Sequence, residues 1–255
     1  GFQCTTCHND LEEFMRYEVA EVTFPSGAKI DSGDPDSNLC LNCHQGREST
    51  VSVNRLIGDA PGDEVSDALR FLNVHYLAAG ASLMGNLAQG GYEYEMINGE
   101  EVTYAGRWPH SEMSTNNNCT DCHNASDTQH TFDPEDNIGY CQQCHRPGGV
   151  PITSFDQIRI GSDQDYNKNG DTAEPLEDEL QSIAADLYVQ IRAYARDELE
   201  APIIYDPSAY PYWFNDNGGG ANYGNRYRDW DAALMKAAHN FQQSQKDKGA
   251  WVHNF

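Results

Sequence analysis

Apolar positions are sparse along this chain, and three stretches hold them at helical or near-helical spacing. In the longest, Leu176, Leu180, Ile183, Leu187, Ile191 and Tyr194 recur every three or four residues, which predicts an amphipathic helix over 175–198. Acidic residues open it, and Arg192 and Arg196 lie near its end, as the helix dipole favours. A second helix is predicted over 229–243, capped by Asp229, with Trp230, Leu234, Ala237 and Phe241 as its stripe. The apolar run Phe71-Leu72-Asn73-Val74-His75-Tyr76-Leu77 predicts a third over 65–78. Strict alternation at Tyr92, Tyr94 and Met96, ended by Asn98-Gly99, predicts a hairpin returning through Val102 and Tyr104. Another hairpin joins Val19–Phe24 to Ala28–Ile30 through Pro25-Ser26-Gly27. From Tyr205 to Tyr227, five Tyr with Trp213 and Phe214 read as an irregular loop with many aromatic anchors. The expected fold class is therefore mostly irregular and loop-rich, with a few α-helices and short β-hairpins.

Composition narrows the class. The chain has 255 residues, enough for one large domain or two small ones. It contains no apolar run of roughly 18 residues, so no helical membrane span is expected. A start at Gly1 with a functional Cys4 close behind reads as a mature terminus left by signal-peptide removal. The net charge of −24 argues against nucleic acid and anionic lipid as partners. With 38% apolar residues, a core of protein alone would be thin, so another apolar group must help fill it.

The cysteines supply that group. All eight fall in four CxxCH motifs: Cys4, Cys7 and His8; Cys40, Cys43 and His44; Cys119, Cys122 and His123; Cys141, Cys144 and His145. CxxCH is the attachment site of c-type haem. Two thiols one helical turn apart reach two vinyl groups of a porphyrin, and the adjacent His binds the iron from below. A redox dithiol, a zinc knuckle or a disulfide framework would each explain CxxC. None of them explains a His after every second Cys. Four covalent haem c groups are expected, with the four motif histidines as proximal ligands, in an exported protein.

Each iron needs a sixth ligand. Five histidines lie outside the motifs: His75, His110, His130, His239 and His253. They suffice for bis-histidine ligation of four haems with one to spare. Met84, Met96, Met113 and Met235 are a weaker alternative. Bis-His iron is low in potential, since axial Met is what raises it, and a saturated iron has no open site for substrate. No catalytic residues are therefore assigned, and the chain is not expected to be an enzyme. His239 lies nine residues after Trp230, which at about 100° per residue predicts that it faces away from the packed side. His75, within an apolar run, could be a satisfied core residue, but four irons favour the ligand reading.

The part beyond Cys144 has no cysteine. It holds Asp163, Asp165, Asn167, Asn169 and Asp171 around Gly170, then Glu174, close to the start of an EF-hand loop and a candidate for Ca²⁺. Counting Asp165 as the first position puts Leu176 where the bidentate Glu belongs, so Glu174 or Glu177 would have to stand in. A solvated acidic turn explains the same residues. Asn124-Ala125-Ser126 is a glycosylation sequon of low specificity. A haem-binding region over 1–150 and a haem-free helical and aromatic region over 151–255 are expected to form one integrated domain.

Several segments carry a family resemblance: Leu39–Arg47 around the second motif, Asn73–Ala81, Gly90–Tyr94, His110, the third motif with His130, and Gly249–Asn254. In this order they resemble the multihaem c-type cytochromes of metal-reducing microbes, and within them the tetrahaem OmcE type, whose subunits polymerise into extracellular cytochrome filaments. The resemblance implies bis-His ligation with His75, His110, His130 and His253 as distal ligands. It also implies stacked haems, self-association, and delivery of electrons to external acceptors or other cytochromes. In such filaments one distal His can come from the adjacent subunit. Like-charge repulsion opposes assembly of so acidic a chain, and calcium or other cations would offset it. A monomeric periplasmic or surface carrier, and a multihaem reductase with one open haem, are the competing readings. The histidine supply weighs against the second.

Overall fold

The structure is a computed structural model, and it describes residues 3–107, 118–124, 129–159 and 163–254. The chain opens on a single helical turn, α1 (Cys4–Cys7), and a two-residue antiparallel pair, β1 (Val22–Thr23) with β2 (Lys29–Ile30). Helices α2 (Pro35–His44) and α3 (Thr50–Ile57) follow, then α4 (Ala79–Met84) and the hairpin β3 (Met96–Ile97) with β4 (Glu100–Glu101). Two more short turns, α5 (Cys119–Cys122) and α6 (Ile138–Cys141), precede the long α7 (Leu176–Asp197). A hairpin of β5 (Ile203–Tyr205) and β6 (Trp213–Asn215), then α8 (Ala232–Lys246) and α9 (Ala250–His253), complete the described chain.

The main core is aromatic and lies in the cysteine-free part. Trp213, Trp230, Ile191, Leu234, Met235 and Phe241 are buried together where α7, α8 and the β5–β6 hairpin meet. Trp213 and Trp230 meet edge to face with centroids 6.3 Å apart, and Tyr188 stacks on Phe241 at 5.0 Å. Such pairs add about 0.5–1.5 kcal/mol each beyond the area they bury. Val53, Leu69 and Tyr92, from the haem-motif part, enter the same core. The backbone joins the two parts as well. Ser66 N–H donates to the Trp230 carbonyl (2.9 Å), Val74 N–H to Gln242 Oε1 (2.8 Å) and Tyr92 N–H to Asn240 Oδ1 (2.6 Å).

These bonds explain the largest departure from the sequence reading. No helix covers 65–78; the segment runs irregularly until α4 begins at Ala79. The Val74 amide bonds to α8 and the Ser66 amide to the Trp230 carbonyl instead of along a helix, and His75 adopts φ 75°, which no α-helix accommodates. The second predicted helix starts later than Asp229: Asp231 is the cap, accepting from Leu234 N–H at 2.7 Å. α7 matches its prediction to within a residue, but its buried side runs through Ala184, Ile191 and Ala195, with Ile183 39% exposed. Both predicted hairpins form, shorter than expected. Asn98 (φ 52°) and Gly99 (φ 84°) make the turn of the second, with both central residues left-handed as a type I′ turn requires. The aromatic stretch is not one irregular loop, because β5 and β6 pair within it, Tyr205 opposite Trp213.

Candidate haem-binding sites

Each motif folds as the attachment chemistry needs. In the first and third, α1 and α5 are single turns that begin and end on the two cysteines, so both thiols project within one turn. The second motif closes α2, whose start is fixed by Asp34 accepting from Ser37 N–H at 2.8 Å, with Pro35 in the first turn. In the fourth, α6 ends on Cys141, and His145 N–H donates back to the Cys141 carbonyl (2.9 Å). All eight thiols are unpaired.

The motifs follow one another in space. Cys40 lies against Cys119 within thiol hydrogen-bond reach, and the Cys119 amide donates to Ser37 Oγ of α2 at 3.0 Å. Cys40 donating to Cys119 pushes the Cys40 thiol up and brings the Cys119 thiol down. The charge of Cys7 adds to the rise at Cys40, so the first motif is close to the second. Burial, then the charge of Cys141, pushes Cys122 up to about 11. Asn137 Nδ2 clamps the Asp121 and Cys122 carbonyls (2.9 and 3.0 Å) from the loop before the fourth motif. A cysteine of each motif thus stands near a cysteine of the next.

Two motif histidines face histidines from distant parts of the chain. The rings of His8 and His130 have centroids 6.5 Å apart, and those of His123 and His253 6.3 Å apart. Two imidazoles on opposite sides of one metal, each bound at about 2 Å, hold their ring centres roughly 6 Å apart. The Nδ1 atoms are spoken for. His8 Nδ1 donates to the Phe14 carbonyl (2.7 Å), His123 Nδ1 to the Phe132 carbonyl (2.6 Å), and His253 Nδ1 to the Asp247 carboxylate (2.9 Å). Nε2 of each is left to bind iron. His253 is carried on α9, anchored by Trp251 in an apolar cluster with Ile152 and Ile158. Gly249 lies so close to the His253 ring that a Cβ there would sit 2.9 Å from Cε1.

Apolar side chains around the motifs are open to solvent in a way a porphyrin face would cover: Phe14 (60% exposed), Met15 (55%) and Val150 (67%). A groove of about 330 Å³ runs beside the first motif, lined by Phe14, Met15, Tyr17 and Pro35 among others. The donors, their spacing and these apolar surfaces fit covalent haem.

The remaining candidates divide. His75 lies beside the second motif, whose Gly46 and Arg47 amides donate to the Leu77 and Val74 carbonyls (2.8 and 3.1 Å). His110 and Met113 lie outside the described residues. His239, expected on the outer face of its helix, is instead 1% exposed, with Nε2 donating to the Gly90 carbonyl at 2.8 Å. Trp230, the reference for that expectation, precedes the helix and does not mark its face; Met235, one turn before His239, is buried with it. Met84 and Met235 are packed in the apolar clusters, and Met96 is exposed in its hairpin.

The acidic loop is organised by its own chain. Asp165 accepts from the Asn169 and Gly170 amides (3.1 and 2.7 Å), and Glu174 Oε1 accepts from the side-chain amides of Asn167 and Asn169, both at 2.8 Å. Asp171 accepts from Ala173 N–H (2.8 Å). Among the described residues, no three His, Cys, Asp or Glu side chains are grouped to hold a metal ion. The carboxylate that organises this region is one the sequence reading missed, the fully buried Glu179. It pairs with Arg159 and accepts from the Tyr166 and Asn167 amides (2.6 and 3.1 Å). A Glu within an acidic helix start gave no signal of burial.

The chain is similar to the C-type polyheme cytochrome OmcB of Geobacter sulfurreducens, 33% identical over 141 residues, covering 48% of this chain and 18% of that protein. It is also similar to the C-type polyheme cytochrome OmcC of Geobacter sulfurreducens, 28% identical over 265 residues, covering 91% of this chain and 30% of that protein. The chain thus spans less than a third of the length of these relatives. No protein-family model and no solved structure matches. The likeness, with the motifs, supports a multihaem c-type cytochrome of modest identity to the Geobacter proteins, without singling out the filament type.

Proposed function

We propose that this chain is a tetrahaem electron-transfer protein, each haem held by a CxxCH motif and a second histidine. The observation that carries the proposal is the facing of His8 with His130 and of His123 with His253, at the separation one shared iron needs. Each pair joins a motif histidine to a residue the motif does not contain. His75 is assigned to the second site by its place beside Gly46 and Arg47, and elimination alone leaves His110 for the fourth. When bound, haem supplies reversible one-electron chemistry at iron. The chain's own part is to saturate each iron and to keep successive attachment points close. That gives a relay and not a substrate pocket, so no enzymatic activity is assigned.

Beyond the single chain, the same reading extends to copies that assemble into an extracellular filament carrying electrons to external acceptors. It is supported by the resemblance to filament-forming tetrahaem cytochromes and by a cysteine-free part from 151 onward larger than a carrier needs. That part presents Val189 and the stacked Tyr210 and Tyr223 to its surroundings. The net charge of −24 works against association, so assembly should strengthen with ionic strength. Negative-stain microscopy of haem-loaded protein tests this: filaments support it, and particles of single-chain size at all salt concentrations reject it. In the second case the monomeric carrier is the reading that stands.

A further inference from the structure

The candidate ligand histidines differ in what stands behind them. His8 and His123 donate through Nδ1 to neutral backbone carbonyls. His253 donates to a carboxylate: both oxygens of Asp247 lie within 3.0 Å of its Nδ1. Asp247 is not a surface residue whose contact solvent would screen; its side chain is 3% exposed. It caps the end of α8, and the Gly249 amide donates to Oδ1 at 3.0 Å. Hydrogen bonds from His253 and Gly249 converge on this enclosed carboxylate. The loop Asp247–His253 therefore carries the ligand and its acceptor as one unit.

A carboxylate behind a metal-bound imidazole draws on the Nδ1 proton, fixes the tautomer with Nε2 free, and makes the ring a stronger donor. Stronger donation favours the oxidised iron. We propose that Asp247 is a positioning residue that sets the third haem's potential lower than a neutral acceptor behind His253 would allow. The inference rests on His253 and His123 sharing that haem. It makes the sites of the relay unequal by means of one side chain in the cysteine-free part.

Spectropotentiometry of the haem-loaded protein, with electron paramagnetic resonance, is the test. Asp247→Asn keeps the shape and removes the anion. It should leave four low-spin haems, move one midpoint upward, leave the other three in place, and change the resonance of one haem. No shifted midpoint, or an equal shift of all four, overturns the proposal. His253→Ala separates the two levels of the argument. If it leaves all four haems low-spin, the ligand assignment has failed. If it turns one haem high-spin while Asp247→Asn shifts nothing, the ligand stands and the role of Asp247 falls. Should Asp247→Asn not take up haem, the unaltered protein decides. One of its low-spin signals should be displaced toward that of imidazolate-type ligation, and four signals of ordinary neutral bis-imidazole type reject the proposal.

Discussion

His130 stands with its ring centre 6.5 Å from that of His8, the two planes 43° apart, although the second and third CxxCH motifs lie between them in sequence. The contact closes the chain on itself across its first half. It brings His130 to the first motif and not to the third, which it follows in sequence, a placement that spacing alone leaves open. His130→Ala should convert one of four haems from low-spin to high-spin and leave covalent haem content unchanged. Visible and electron paramagnetic spectra of the variant check this. Four low-spin haems in His130→Ala would mean that another residue is the ligand.

Gly249 holds its place by lack of a side chain. A Cβ there meets the His253 ring at 2.9 Å for Cε1 and 3.3 Å for Nδ1. Gly249→Val should push the ring off its ligating position, destabilise the fold by about 1–3 kcal/mol as overpacking does, and give a partial high-spin signal. A thermal melt and spectrum indistinguishable from the parent would show that the tail repacks freely.

His239 gives the pH dependence. Burial holds its imidazole below the ordinary histidine value, so it is neutral in the folded chain. The unfolded chain takes up this proton near about 6.5. The stability His239 contributes is therefore fully present above that pH and is lost as pH falls below it. The melting temperature should drop from pH ~7.5 to pH ~5, and His239→Gln, which keeps an N–H for the Gly90 carbonyl, should drop less. Equal drops in the two proteins would remove His239 as the cause.

Glu179 and Arg159 form the buried ion pair of the 163–174 region, with Glu179 fully enclosed and the Arg159 side chain 13% exposed. Removing one partner of such a pair leaves an unpaired buried charge and costs about 3–5 kcal/mol. Glu179→Ala should lower the urea midpoint accordingly and open the loop around Tyr166 to proteolysis. A loss under about 1 kcal/mol would place the pair with ordinary surface bridges.

What the sequence showed and what it hid follow from where the information sits. CxxCH is a local pattern, so all four motifs were legible, as were α7 and the Asn98-Gly99 turn. The segment 65–78 was misread because its apolar residues Leu69, Phe71 and Leu72 pack into the aromatic core while the Val74 amide bonds to Gln242 of α8, a use that mimics helical spacing. His239 was placed on the wrong face because Trp230, though apolar and near, is not on the helix. The β5–β6 pairing was hidden by its Tyr- and Pro-rich turn. The facing histidine pairs were illegible because they depend on how His130 and the Asp247–His253 loop return to motifs far away in sequence.

The central claim is that each motif holds a haem whose iron is closed by a second histidine. The most direct measurement is the electron paramagnetic spectrum of fully loaded, oxidised protein, on a sample whose mass shows four covalent haems. The account predicts low-spin ferric signals alone, integrating to four per chain. A high-spin signal amounting to one haem or more per chain would contradict it.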